Sequence, residues 1–584
     1  MKLRDRAWPF FAFAFLLYVP SIAFDYALDD RAVTFQNKFV TDGFAGFGRI
    51  LTTFYWAGFW NANAGLFRPL SLLLFASEWQ LFPQQPHVAH AVNVLLYATC
   101  AALLYRTLRD LFRGTSPAIS VVATLVWIAH PAHTEVVANI KSADELLSVL
   151  FFLLMIRARS AVTAAVFFFL ALLSKEGAVL FAPVVLLALV LFRGARGRKL
   201  LTFAAALCVP LAIWLAWHTA VVRATPVIAY RYVDNSLLAA PNLPSRIATA
   251  IQMQGRYLIK AVFGYPLAYD ASFNQIPNVS PFDAGAIVSL LICAALIVVA
   301  LMRIRATPIL SFGILTYFVL FALTSNVFLL IGATMADRFL FAPTIGFAIA
   351  AGWLLAKRPQ LTAVIVVVYA FETLARTPAW RSDATLFETD VGNAPRSARV
   401  HDNYGTLLMN DAFTTTDEPR HKARLIDVAF EQFSIAAAID SLDYGAQFSL
   451  GQLEYHRGHY PQSAAWSAKA IDTYHRLGAA PPDPSLYLNL ADAYLMAARY
   501  DDAIAALTEA EKRWPGDARI AIKLGNANVG KRDFNAAAAE FERAVRLDPN
   551  SIEAWDKLAN VSGMRGDLKR AQEAFGREAE LRAH

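Results

Sequence analysis

Eleven apolar runs come first in this chain and a 34-residue repeat comes last, a combination that few folds accommodate. The runs lie near 8–24, 88–108, 117–134, 142–157, 160–174, 177–193, 200–218, 284–302, 307–325, 338–356 and 360–376. They are long enough to cross a bilayer as helices. Hydrophobic residues are 57% of the 584 and charged ones 17%, too apolar for a water-soluble chain of this size. Beyond the runs the pattern changes. Leu490, Leu524 and Leu558 stand 34 apart, as do Ala503, Ala537 and Ala571. Leu507, Phe541 and Phe575 keep the same step, and so do Pro515 and Pro549. The expected fold is all-α: a polytopic membrane helix bundle of eleven spans over 1–376, then stacked helical repeats over 397–584. Between them 377–396 reads as a linker, because hydrophobicity falls and Thr377-Pro378 and Trp380-Arg381 mark a boundary.

Loop charge orients the bundle. With the N-terminus and its Lys2, Arg4 and Arg6 in the cytoplasm, every even-numbered span exits into a basic loop. These loops hold Arg106/Arg109/Arg113, Arg157/Arg159, Arg193/Arg196/Arg198/Lys199, Arg303/Arg305 and Lys357/Arg358. The acids Asp25, Asp29, Asp30, Glu135, Asp144, Glu176, Asp270 and Asp337 fall on the other side. An odd number of spans puts the repeats, and His584, on that side too. Two long outer loops carry helix signals. Residues 66–82, with Arg68 and Glu78, read as an interfacial helix or else a twelfth span; 245–263, with Arg246, Gln252, Arg256 and Lys260 on one face, as an amphipathic surface helix. The net charge of +7 belongs to the membrane loops, and no basic cluster with interleaved aromatics points to nucleic acid. Cys100, Cys208 and Cys293 lie in apolar stretches and make neither a disulfide framework nor a metal site.

The repeat resembles the tetratricopeptide (TPR) pattern of L-G-x2-Y, then A-x3-F, then P. Regular units begin near Pro484, Ala518 and Ile552. Two looser units precede them, one with Leu450-Gly451 and Tyr460, the other with Tyr404-Gly405, Ala429 and Phe433. The latter is interrupted at Thr414-Thr415-Thr416-Asp417-Glu418-Pro419. Five such units make an α-solenoid whose concave groove takes extended peptides, so a protein partner is expected. Asn489, Lys523, Asn526 and Lys557 can line that groove.

Several polar clusters interrupt the apolar stretches. Asp29-Asp30, just after the first run, suits a base or a cation site, or else a solvated loop. His130, His133 and Glu135 could ligate a metal, tie a loop or move protons; Pro131 excludes the HExxH zinc spacing. Lys175-Glu176 and Asp337-Arg338 place a cation at the outer edge, fit for a lipid phosphate, a topology anchor or an ion pair.

Taken in order, these segments are Leu28-Asp29-Asp30, Phe67-Arg68-Pro69-Leu70, HVAHAVNVLL at 87–96, HPAHTEV at 130–136, SADELLS at 142–148, Ser174-Lys175-Glu176-Gly177 and Ala336-Asp337-Arg338-Phe339. Arg376-Thr377-Pro378-Ala379-Trp380-Arg381 and Thr385-Leu386-Phe387 follow. The series resembles the transmembrane-and-TPR-containing (TMTC-type) protein O-mannosyltransferases of the GT-C glycosyltransferases. That family usually has Gly-Arg-Ala-Glu-Leu-Leu where this chain has Lys141-Ser142-Ala143-Asp144-Glu145-Leu146, and Ala-Glu-Arg where it has Ala336-Asp337-Arg338. The resemblance implies an enzyme that moves a sugar, expected to be mannose, from a polyprenyl-phosphate donor to Ser or Thr of a protein, outside the cytoplasm. Asp29 is then the expected base, with Asp30 orienting the acceptor or pairing with a cation. Lys175, Arg338 and Arg68 are expected on the donor phosphate, supported by His130, His133, Glu135, Asp144, Glu145, Glu176 and Asp337. A single inverting displacement is expected, with no metal and no cofactor beyond the lipid-linked donor. Short basic loops and an Ala/Arg-rich composition suggest a bacterial member, with the site and the repeats in the periplasm at the inner membrane. Two other readings remain open: a GT-C transferase acting on a glycan or lipid, and a non-catalytic membrane-anchored TPR scaffold.

Overall fold

The computed structural model describes residues 7–60, 63–414, 418–478 and 483–583. Lys2, Arg4, Arg6, the middle of the repeat insert (Thr415, Thr416 and Asp417) and His584 therefore lie outside the described residues. Within them the regular structure is helical, with an isolated bridge between Asn63 and Val227 and no strand. The chain folds as two units, Met1–Val400 and His401–His584.

In the first unit every apolar run forms helix. Four helices are long and apolar enough to cross a membrane alone: Pro86–Leu111, Gly197–Val222, Ala284–Met302 and Pro359–Arg381. Pro117–Ala129 and Pro131–Ala138 make a pair bent by 53°, and five further apolar helices are shorter. The apolar surface is turned outward. Val288, Leu291, Val298 and Leu301 on one long helix are exposed, as are Val209 and Ile213 on another and Val364, Val367 and Phe371 on a third. Patches of this extent suit lipid rather than water. Inside the bundle Trp127, Tyr97, Phe152 and Phe168 are fully buried. Small residues let helices approach closely. A Cβ at Gly346 would lie 2.3 Å from the Tyr317 backbone N and 2.5 Å from the Gly313 carbonyl O, where helices Pro308–Phe321 and Pro343–Leu355 cross.

The short helices have a common cause. Where charged or proline residues enter the run, the helix breaks into a 3-10 turn: Pro131–His133, Ile140–Ser142, Glu176–Leu180 and Asp337–Leu340. Irregular backbone at such depth persists only where protein encloses it or a wet cavity lines it. The polar motifs of the sequence therefore sit at the breaks.

Residues 377–396, read from sequence as a linker, are folded into the first unit. A 3-10 turn, Thr377–Arg381, leads to helix Asp383–Asn393, capped reciprocally by Ser382 and Thr385. Trp380, Leu386 and Phe387 are buried, and Arg376 Nη2 donates to Asp390 at 2.9 Å. A fall in mean hydropathy here marks the end of the apolar helices, not the end of the unit.

Beyond it lie five antiparallel helix pairs, from Ala398–Thr414 with Pro419–Ile439 to Ile552–Met564 with Leu568–Ala583. Ala503, Ala537, Leu507 and Phe541 are buried between helices, as the 34-residue step requires. Of the expected groove residues, Lys523 is paired with Asp492, and Lys557 lies 3.9 Å from Asp556. Asn489 borders a cavity of about 150 Å³ with Gln452, Tyr455, His456 and Asp492.

Candidate functional site

Asp29 opens a one-turn helix, Asp30–Val33, and the residue before it, Leu28, has φ 54°. A branched residue there is strained, so its surroundings must hold it. They do. The Leu28 N–H donates to Asp383 Oδ1 at 2.6 Å, Arg31 pairs with the other Asp383 oxygen at 2.8 Å, and the Asp25 N–H donates to the Arg381 carbonyl at 3.0 Å. Asp30 points inward and is fully buried. Its Oδ1 accepts from Asn139 Nδ2 and from the Lys141 N–H, each at 2.8 Å, and its Oδ2 from the Ala27 N–H at 3.0 Å. Burial pushes this carboxyl up to about 7, while the Lys141 and Ala27 N–H groups pull it down. Asp30, expected to orient the acceptor or pair with a cation, is instead closed off and ties the loop to the 139–141 turn. Asp29 is half-buried, and among the described residues no hydrogen bond or ion pair reaches its carboxylate.

Arg68 was expected on a surface helix. It is 8% exposed, at the N-cap of helix Pro69–Leu81, with Nη1 2.7 Å from Asp144 and Nε 2.9 Å from Glu176. Its guanidinium also lies 5.4 Å from the Tyr55 ring centroid. Glu176 in turn accepts the Phe67 N–H at 3.2 Å. Lys175 pairs with Glu145 and lies 4.0 Å from Asp144. Arg68, Asp144, Glu145, Lys175 and Glu176, from three separate stretches of sequence, thus form one ion cluster. Removing either cation leaves buried carboxylates to repel one another.

A second group lies at the bend after helix Pro117–Ala129. Glu135 accepts from Arg338 twice, from the backbone N–H at 2.8 Å and from Nη1 at 2.6 Å. Asp29 and Asp270 act on the Arg338 charge as well. Asp337 accepts from the Ala268 N–H at 2.8 Å and pairs with Lys260. Lys260 is thus buried, not part of the polar face assigned to its helix, Leu243–Phe263. Both histidines are buried and tied by both ring nitrogens. His130 Nδ1 accepts from the Ala132 N–H at 3.3 Å, so Nε2–H donates to the Ala261 carbonyl at 2.9 Å. His133 bonds Tyr97 at 2.9 Å and Thr344 at 2.8 Å. These contacts fix the bend and leave Glu135 to present Arg338.

The sequence reading missed four residues: Asn139, Lys141, Lys260 and Asp383. Only Asp383 carried a local signal, the Ser382-to-Thr385 capping box; the others act through contacts distant in sequence. The result is a carboxylate uncommitted among the described residues, on a braced loop, whose charge acts on Arg338 and Lys141. Such a site can take a proton from a weak nucleophile and receive an anionic leaving group.

Residues 488–552 match the family described as tetratricopeptide repeat. The chain is 22% identical over 568 residues to Protein O-mannosyl-transferase TMTC3 of Mus musculus, covering 85% of this chain and 58% of that protein. It is 22% identical over 438 residues to Protein O-mannosyl-transferase F38B6.6 of Caenorhabditis elegans, covering 71% and 62%. With Protein O-mannosyl-transferase TMTC4 of Mus musculus it shares 23% over 476 residues, covering 68% and 63%. The chain spans about three-fifths of the length of these curated relatives. Among solved structures it is similar to YrrB, described as a TPR protein with an unusual peptide-binding site, at 14% identity and TM-score 0.27, covering 33% of this chain and 91% of that one. Homologues across most of the chain are therefore named O-mannosyl-transferases, and a tetratricopeptide repeat region is present.

Proposed function

We propose that this chain is a GT-C-type transferase that moves mannose from a polyprenyl-phosphate donor to Ser or Thr of a protein, with inversion. The observation that carries the reading is Asp29, a carboxylate unpaired among the described residues, held on a strained and braced loop, whose charge acts on Arg338. The names of the relatives support the sugar and the acceptor class. In the reaction the Asp29 carboxylate takes the hydroxyl proton. The hydroxyl oxygen then bonds to the anomeric carbon from the face opposite the phosphate. The bond from that carbon to the phosphate oxygen breaks, and its electron pair leaves with the phosphate. Arg338, partly exposed and aimed by Glu135, faces the growing negative charge. Arg68 and Lys175 hold the acidic cluster in register from behind. The TPR unit binds the acceptor, and the reaction as proposed uses no resident metal or cofactor.

The proposed setting is the inner membrane, with the N-terminus cytoplasmic and the site and TPR unit periplasmic. Alkaline phosphatase fused after Arg198 should be inactive, and fused after the TPR unit active; the reverse pattern contradicts the orientation. To test the chemistry, the purified chain is incubated with radiolabelled mannosyl-phosphoryl-polyprenol and an envelope protein extract. Label on Ser or Thr is expected. Label found only in lipid or glycan would favour a non-protein acceptor instead.

A further inference from the structure

Lys141 is a buried cation of this site with no ion-pair partner among the described residues. It lies in the 3-10 turn Ile140–Ser142, where its backbone N–H is committed to Asp30. The residue is 7% exposed, and among the described residues its ammonium has neither a hydrogen bond nor a carboxylate within 4.0 Å. The other cations nearby are matched: Arg68 by Asp144 and Glu176, Lys175 by Glu145, Lys260 by Asp337, Arg338 by Glu135. Its charged surroundings come from four separate stretches. Asp144 and Asp29 attract it, Arg338 and Arg68 repel it, and burial lowers its affinity for the proton.

An ammonium withdrawn from water without a partner is costly, so its charged form is favoured when an anionic ligand completes it. The balance of the neighbouring cluster says which kind of ligand. Arg68 and Lys175 are two cations against the three carboxylates of Asp144, Glu145 and Glu176, so the cluster alone repels an anion. Lys141 brings it to neutrality and adds the donor that is free to turn toward a newcomer.

We propose that Lys141 binds the phosphate of the lipid-linked donor, its ammonium donating to a non-bridging phosphate oxygen on the side of the site facing Asp29. This rests on the transferase reading above and replaces Lys175 as the lysine in direct contact with the phosphate. When the bond to the anomeric carbon breaks, the leaving phosphate keeps the electron pair, and Lys141 neutralises part of that charge. No proton has to move from the lysine.

The test uses the full chain in lipid nanodiscs and two probes, a polyprenyl phosphate without sugar and the matched polyprenol without phosphate. Wild type should bind the phosphate at least about tenfold more tightly than the alcohol. Lys141→Met should bind both alike, with its affinity for the alcohol unchanged, and Lys141→Arg should keep most of the preference. The melting temperature of Lys141→Met should equal or exceed that of wild type, because an unmatched buried charge has been removed. A lower melting temperature would make Lys141 a structural ion and overturn the proposal. A folded Lys141→Met that still prefers the phosphate as strongly as wild type would also overturn it, leaving the transferase reading in place. If wild type itself shows no preference for the phosphate, the donor assignment fails, and this proposal with it.

Discussion

In Asp30→Asn the side chain keeps its shape and loses its titration, which separates the two things the structure says about this residue. Burial raises the folded-state carboxyl to about 7, against about 4 in an unfolded chain. Below about pH 4 the group is protonated in both states and contributes fully to stability. Between about 4 and 7 the folded state holds a proton that the unfolded state has released, so stability falls as pH rises through that window. Three units correspond to about 4 kcal/mol in all, of which about 3 kcal/mol is lost between pH 5 and pH 8. Asp30→Asn cannot show this loss. It should show a fixed one instead. Its amide nitrogen faces the Ala27 N–H, which now donates to Oδ2 at 3.0 Å, and two opposed buried donors cost about 1–3 kcal/mol. Thermal unfolding in detergent, followed by tryptophan fluorescence at pH 5, 6, 7 and 8, reads both effects. The variant should melt lower than wild type at pH 5, and the gap should close toward pH 8. Parallel curves with a constant gap would mean that Asp30 is ionised throughout, and the claim that burial outweighs its three donors would be wrong.

Two other changes probe the scaffold. Arg68→Met strands Asp144 and Glu176 and should cost about 3–5 kcal/mol of stability, part of it recovered by adding Asp144→Asn and Glu176→Gln; an unchanged melting temperature would deny the ion cluster. Gly346→Ala puts a methyl 2.3 Å from the Tyr317 backbone N and should cost about 1–3 kcal/mol in the same assay, whereas a neutral result would mean that the two helices cross farther apart than described.

The helices were legible in the sequence because apolar length is a local property. Each run from 8–24 to 360–376 became helix, and the 34-residue step became helix pairs. What escaped reading was pairing across the chain. Nothing near Leu28 announces Asp383, 355 residues on, and nothing near Lys260 announces Asp337, 77 residues on. Lys260 was misplaced because a charged residue on an otherwise amphipathic helix reads as solvated unless its buried partner is known. The 377–396 segment was misjudged for a related one. Its polarity, which suggested a tether, supplies Asp383 and Asp390 as anchors for Leu28, Arg31 and Arg376. Asp29 and Arg338 were named from their order in sequence, and the Asp29 charge acts on Arg338; Asp30 was named beside Asp29 and proved to face inward.

The most direct measurement on the central claim is sugar transfer by Asp29→Asn, with donor binding measured on the same preparation. The substitution removes the base, keeps the volume and touches no bond that braces the loop. Transfer should fall by about 10²–10⁴-fold while polyprenyl-phosphate binding stays within a few-fold of wild type. Transfer near the wild-type rate, in a variant that binds the donor normally, would contradict the assignment of Asp29 as the base.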